Sequence, residues 1–445
     1  MAKDTDATPR NSESIDDEMR RLKIQDAGVD RAEDIQVDSD QNKFSAMLGI
    51  LRKVAGVSDV INLRLSLPSQ LLDPIPNLEY WNYMDRPEYF VEISESDDEI
   101  ERMLAVVAWW FSKLLKHSGK VLKPFNSVLG EQFFCRWNAS GDAEGTVSSG
   151  STTVSISESS TTNAGSSNNG GSEDDVVVEY ITEQVSHHPP VSAFVYRCKE
   201  KGIEAAGYDH ISAKFTGLSA TVTSGALSNG IFITLQNRGN ETYQCMHPMA
   251  NIVGWLRGSI KVQFAESSYI VCEKSGLAVV VEFKEERWFG KNKENVSGKV
   301  IRYDVSKYGE QIAQWRLKDI PKSCSVVATF SGNWDKRVTV RRTDGACEER
   351  TLVDLTGLEV AEKIVKAEEE QGAMESRRIW GPVADKMLQG KYGEATRLKR
   401  SIEEKQRTES AARKERGEEF VPALFKTECK IRGKPELRDD AKVNV

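Results

Sequence analysis

Between Phe133 and Arg342 the chain offers one short run after another of Val, Ile, Phe and Tyr, with no helical periodicity between them. The clearest runs fall at 176–181, 191–197, 231–235, 260–264, 269–272, 277–283 and 338–342, cut by turn residues such as Ser275-Gly276 and Ser331-Gly332-Asn333. Branched and aromatic side chains suit a pleated surface, and Gly, Ser and Asn supply the turns. Strands that follow one another without intervening helices favour an antiparallel sandwich or barrel over a βαβ fold. The expected class is mainly β (α+β), with helices at either end and no internal repeat. A Ser-, Thr-, Gly- and Asn-rich stretch at 138–175 interrupts the pattern. It reads as a flexible insertion hanging from a strand connection, because closure entropy grows only logarithmically with loop length.

The flanks are helical in pattern. Phe44, Met47, Leu48, Leu51 and Val54 form one apolar stripe on a short helix, weakened by Gly49 and ended by Gly56. Such a helix either packs permanently on the core or serves as a movable lid that touches a membrane. A stronger helix spans 98–117, with Asp97, Asp98 and Glu99 favouring the positive end of its dipole. Met103, Val107, Trp110 and Leu114 make one apolar row, and Leu104, Val106, Ala108, Phe111 and Leu115 make it apolar nearly all round, as a buried helix requires. Between the two, Leu65-Ser-Leu-Pro68 and Pro74-Ile-Pro76 force extended chain. Segments 361–370, 374–388 and 394–415, rich in Ala, Glu, Lys, Arg and Leu, are expected as helices. The resulting division is an acidic, mostly disordered tail at 1–42, a β domain with its helical entry at 43–358, and a helical segment at 359–445.

Composition narrows the function. No apolar run approaches the ~18–20 residues that span a bilayer, and Met1–Arg10 has no apolar core of the kind that directs secretion. The expected compartment is the cytosol. Seven scattered cysteines, none in a C-x-x-C pair, suggest reduced thiols and no zinc site. A net charge of −8 argues against nucleic acid as a partner, yet 386–432 is crowded with Lys and Arg. Such a basic stretch marks either a local anionic partner or a solvated helix face.

Three features carry chemistry. The first is Glu183-Gln-Val-Ser-His187-His188-Pro189-Pro190, which holds two of the five histidines. Consecutive prolines remove two backbone donors, so a strand ends there and both imidazoles can turn to one side. They either cap backbone carbonyls or bind an anion, since a phosphate dianion stabilises the imidazolium. Catalysis is disfavoured: no G-x-S-x-G, H-E-x-x-H, P-loop or Cys-x5-Arg occurs. The second is Lys123-Pro-Phe-Asn126-Ser-Val-Leu129-Gly130-Glu131, a point charge and an amide followed by a glycine turn. In the third, Lys399, Glu403 and Arg407 lie at i, i+4 and i+8, one helix face on which an acid can orient two cations. A salt-bridged surface helix has the same spacing.

Taken together these residues resemble the oxysterol-binding-protein-related family. The intact octapeptide 183–190 is the family's fingerprint. Lys123-Pro-x-Asn126 with Leu129-Gly-Glu131 is similar to a second block, Arg102-Met-Leu-Ala-Val-Val107 to the helix before it, and Glu375-Ser-Arg377 with Trp380 and Lys399-x3-Glu403-x3-Arg407 to a C-terminal block. The resemblance runs from about Phe44 to Lys426 and is to the short, single-domain members, with no room for a pleckstrin-homology or ankyrin domain. It implies a large, incomplete antiparallel β-barrel around a hydrophobic tunnel, closed by a lid at Phe44, Met47, Leu48, Leu51 and Val54. It also implies phosphatidylinositol 4-phosphate held at the mouth by Lys123, Asn126, His187, His188, Lys399, Glu403 and Arg407.

The implied function is non-vesicular exchange of that phosphoinositide for a second lipid, sterol or phosphatidylserine. The carrier would be a cytoplasmic monomer touching membranes transiently, where the endoplasmic reticulum meets the Golgi or plasma membrane, with no enzymatic activity, cofactor or metal. The alternatives are a phosphoinositide- or sterol-regulated sensor or scaffold without net transport, and, disfavoured, a phosphoinositide phosphatase.

Overall fold

Strand after strand pairs antiparallel with its neighbour, and among the described residues the sheet that results holds fifteen strands without closing on itself. The computed structural model describes residues 69, 72–118, 123–140, 176–215, 220–253, 261–284, 294–309, 311–345, 348–443 and 445. A small parallel pair comes first, β1 (Leu72–Pro76) with β2 (Lys123–Phe125). Between them run three helices, α1 (Asn77–Tyr80), α2 (Pro87–Glu92) and α3 (Glu99–Ser112). The large sheet opens with a meander of β3 (Gln132–Asn138), β4 (Val177–His187), β5 (Pro190–Cys198) and β6 (Ile203–Phe215). β6 is long enough to serve two neighbours: Ile211–Phe215 pairs with β7 (Ala220–Ser224), and Ile203–Gly207 with β8 (Ile231–Leu235).

From β7 the sheet continues through β10 (Met249–Val253) to β11 (Lys261–Ala265). From β8 it runs through β9 (Glu241–Cys245), β12 (Ser267–Cys272), β13 (Leu277–Phe283), β14 (Val296–Arg302), β15 (Ser325–Gly332) and β16 (Arg337–Arg342) to β17 (Glu349–Asp354). A one-turn helix, α4 (Val305–Tyr308), follows β14; α5 (Ser376–Leu388) and α6 (Tyr392–Arg416) end the helical series. No helix among the described residues is long and apolar enough to cross a membrane.

α3 shows why the chain folds around its entry helices. Asp98 accepts from the backbone N–H of Ile100 at 2.7 Å and of Glu101 at 3.3 Å, satisfying donors that the first turn leaves open. Beyond the cap, Met103, Val107, Trp109, Trp110 and Phe111 are fully buried against one face of the sheet, where Tyr180, Tyr196, Ile233 and Val279 point. One charge comes with them. Arg102 forms a two-pronged pair with Glu241 of β9 at 2.8 and 2.9 Å, and the Tyr243 hydroxyl donates to the same carboxylate. The opposite face of the sheet is covered at β3–β6 by Leu424, Phe425 and Cys429, and at β12–β14 by Ile312, Trp315 and Cys324. The six described cysteines are buried and free.

The expected helices at 374–388 and 394–415 appear as α5 and α6, but the one expected at 361–370 does not. That stretch runs along the open edge of β3, where Ile364 exchanges both backbone bonds with Arg136 at 2.8 and 3.0 Å and only Glu368–Glu370 makes a single 3-10 turn. An unpaired strand edge offered more hydrogen bonds than an isolated short helix, and propensity yielded. The apolar stripe Phe44, Met47, Leu48, Leu51 and Val54, the tail at 1–42, and residues 141–175 of the insertion lie outside the described residues.

Candidate functional site

The hairpin of β4 and β5 ends as its prolines require. His187 pairs with Pro190 and leaves His188-Pro189 as a two-residue turn, while a bulge between Gln184 and Ser186 re-aims the chain just before it. The two imidazoles stand edge to face, ring centroids 4.5 Å apart at 63°. His187 Nδ1 lies 3.1 Å from the carbonyl oxygen of Ser127, so that nitrogen carries its proton and donates. One bond thus fixes the ring and ties the fingerprint turn to the Lys123–Glu131 block.

That block is itself held from three sides. Gly130, at φ +79°, donates to Gln184 O at 2.9 Å, and Gln184 N donates to Glu131 O at 2.8 Å. A Cβ at Gly130 would strain the backbone and stand 3.2 Å from the Phe420 ring. Phe125 stacks on Trp380 of α5 at 4.9 Å and 19°. Glu131 has no exposure and accepts from Ser376 Oγ at 2.6 Å, from Trp380 Nε1 at 2.9 Å and from Val128 N at 2.9 Å. Burial pushes its carboxyl up to about 7 against those donors. The carboxylate is therefore the joint between the second block and the C-terminal one. Glu183, the first fingerprint residue, plays the same part outward: its oxygens take Ala423 N at 2.8 Å and Leu424 N at 2.7 Å, pinning the final segment to β4.

α6 brings the last cations. Lys399 is 3% exposed on a helix most of whose other charges face solvent, and its Nζ sits 2.6 Å from Glu403 Oε1. Burial holds this ammonium below its ordinary value against the pull of Glu403. The Lys123 ammonium, whose side chain bonds Asn126 Oδ1, is pushed down to about 8 by burial first and Lys399 second, with Glu403 opposing. Lys123 is exposed on β2, near enough to Lys399 and Glu403 on α6 for their charges to act on it. Arg407 also acts on Lys399, and pairs with Glu404 at 3.3 Å, where the sequence suggested Glu403. Among the described residues no three His, Cys, Asp or Glu side chains gather as metal ligands.

Two groups of residues escaped the sequence. Glu131, Ser376 and Trp380 stood inside recognised blocks, but nothing in their spacing announces a shared carboxylate. Lys113, with Tyr83, Asp209 and His247, forms a second polar cluster inside the core. Its one visible trace was a lysine three residues beyond Trp110 on a helix that is otherwise apolar there.

A sequence model described as oxysterol-binding protein matches residues 46–386, 341 of the 445. Oxysterol-binding protein-like protein 1 of Schizosaccharomyces pombe is 39% identical over 91% of this chain and 90% of its own length. Human oxysterol-binding protein-related protein 9 is 27% identical over 97% of the chain and 54% of its own length. Among solved structures, the Osh1 ORD domain in complex with ergosterol aligns with a TM-score of 0.61 at 19% identity, over 96% of both chains. The Osh3 ORD of Saccharomyces cerevisiae, in complex with PI(4)P, aligns at 0.59 and 16%, over 92% of this chain and 93% of that one. With the family matched over most of its length, and with the open antiparallel sheet of the ORD structures, the chain belongs to the oxysterol-binding protein family.

Proposed function

We propose that this chain is a lipid carrier that binds phosphatidylinositol 4-phosphate and exchanges it between membranes for a second lipid, sterol or phosphatidylserine. The observation that carries the reading is electrostatic. The charges of Lys399 and Glu403 on α6 act on Lys123 of β2, and His187 is bonded to the carbonyl of Ser127, four residues after Lys123. A cluster with more cations than acids, partly hidden from water, gains most from a polyanion, because charge-assisted bonds strengthen as the dielectric falls. Lys123, Asn126, His187, His188, Lys399, Glu403 and Arg407 are the proposed headgroup site, and Phe44, Met47, Leu48, Leu51 and Val54 the proposed lid.

Shuttling answers a definite energetic problem. Exposing about 25 apolar carbons to water costs roughly 20 kcal/mol, so a carrier must replace the bilayer with an apolar interior and seal it. Relatives of this fold hold a sterol or a phosphoinositide, two lipids of similar greasy bulk and opposite head chemistry. A phosphate at the rim satisfies the cations; a neutral lipid does not, and the two take turns. The carrier is proposed to act in the cytoplasm, peripheral to its membranes.

The test is extraction of phosphatidylinositol 4-phosphate from liposomes, followed with a fluorescent headgroup sensor. Wild type depletes the donor vesicles, and His187→Ala/His188→Ala does so at least about tenfold less well while still taking a neutral cargo. Absence of extraction by wild type rejects the reading. Extraction without delivery to acceptor vesicles marks a sensor instead of a carrier.

A further inference from the structure

α5 ends on a leucine that faces water. Trp380, Val383 and Met387 turn inward to a cluster with Leu72, Phe125 and Ala395 of α6. Leu388, about 100° further round the helix than Met387, is left 75% exposed. Gly390, at φ +73°, stops the helix there: Gly390 N donates to Met387 O at 2.9 Å and Lys391 N to Lys386 O at 2.8 Å, so the chain turns sharply. Ser69 Oγ donates to Tyr392 O at 2.9 Å and bonds Thr396 Oγ1 at 2.6 Å, fastening the first turn of α6. The leucine thus stands at the tip of a held elbow. Lys391 in the turn, with Arg397 and Arg400 on α6, is exposed, and the three side chains make no hydrogen bond or ion pair among the described residues. Nearby acids do not balance them. Glu394 is taken by Lys386 at 2.9 Å, which leaves Asp385 as the one free acid from 385 to 400. Leu398, 37% exposed, follows Arg397.

A single exposed leucine is ordinary on a protein surface. A leucine on a helix tip, among three free cations and one free acid, combines an apolar point with a positive collar. That combination is complementary to a bilayer rich in anionic lipid: the tip enters the boundary between headgroups and acyl chains, and the cations reach lipid phosphates. A protein partner fits less well, because a convex tip offers neither a groove nor the broad face that a stable protein contact needs. We propose that the α5–α6 elbow is where this chain docks on an anionic membrane, with Leu388 entering the interface and Lys391, Arg397 and Arg400 pairing with lipid phosphates. This rests on the carrier reading above and names the surface through which the carrier meets its membrane. So small an apolar contact gives shallow, reversible attachment, as a carrier that must leave again requires. Docking here also brings the proposed headgroup site toward the lipid. Lys399, whose charge acts on Lys123, follows about two helical turns after the elbow and lies between Leu398 and Arg400 in the chain.

The experiment floats the full chain on phosphatidylcholine vesicles with and without phosphatidylglycerol, an anionic lipid outside the proposed cargoes. It compares wild type, Leu388→Gln and Arg397→Gln/Arg400→Gln. Leu388→Cys carries an environment-sensitive dye, with dye-treated wild type as the blank, and binding of short-chain phosphatidylinositol 4-phosphate without vesicles is the control. Wild type is expected to bind anionic vesicles about tenfold or more tighter than neutral ones. Each variant loses about tenfold on anionic vesicles and keeps short-chain binding, and the dye at 388 shifts to the blue on them. Variants that float like wild type overturn the proposal, as does a dye unchanged on vesicles that hold the protein. Wild type that ignores anionic vesicles also overturns it and leaves the elbow to a protein partner. Loss of short-chain binding in the variants overturns it too, by assigning these residues to the headgroup site. Failure of wild type to bind the short-chain phosphoinositide would instead overturn the carrier reading, and flotation alone would then decide the docking.

Discussion

Two carboxylates that touch no cation hold the backbone of the candidate site. Glu131 gathers Ser376, Trp380 and Val128, and Glu183 gathers Ala423 and Leu424. In Glu131→Gln one of the donors faces an amide N–H, and the stability lost is about 1–3 kcal/mol, measured by urea unfolding. The pH dependence has a definite sign. With the folded carboxyl raised from 4.5 to about 7, the folded state binds more protons than the unfolded one across that window. Through this group stability is therefore full below pH 4.5 and falls as the pH rises to about 7. The melting temperature of Glu131→Gln is expected to decline less over the same range. Lys399 predicts a different split. Replacing it by Met leaves an apolar side chain in a place 3% exposed and returns Glu403, 21% exposed, to solvent. Stability should change by no more than about 1 kcal/mol, because a buried ion pair barely outweighs a hydrophobic contact. Phosphoinositide extraction should fall at least about tenfold.

At the level of elements, the pattern of apolar residues foretold most of what formed. The 98–117 helix was legible because its cap, its acidic start and its all-round apolar surface agree, and it appears as Glu99–Ser112 with Asp98 as its cap. Strands β4, β5, β8, β12, β13 and β16 fall on the expected runs; β9, β14, β15 and β17 did not stand out, because their exposed positions carry Glu, Lys, Arg and Thr. Segment 361–370 has a helical composition, but a free strand edge claimed its backbone. What α3 buries also makes it vulnerable. Arg102→Ala leaves Glu241 charged and buried at 6% exposure, and is expected to cost about 3–5 kcal/mol in thermal or chemical unfolding.

On the scale of the whole molecule, β3 and β4 come within bonding distance where the Ser/Gly-rich insertion leaves and returns: Asn138 pairs with Val177, and Ala139 N donates to Val176 O at 2.8 Å. A loop insertion at that point predicts that replacing 141–175 with a four-residue turn leaves lipid binding intact. Shortening the connection roughly ninefold returns up to about 2 kcal/mol of closure entropy, read as a higher melting temperature.

The β architecture, the buried entry helix and the family could all be read before any coordinates, since each is written in local periodicity or in one unbroken octapeptide. The residues of the proposed headgroup site were legible as candidates, because they stand in short motifs. Which charges come together was settled by the folding of distant segments onto one another. The burial of Lys399, the joint at Glu131 and the electrostatic coupling of Lys113 to Asp209 all depend on desolvation and on partners far along the chain, and neither leaves a mark in the spacing of residues.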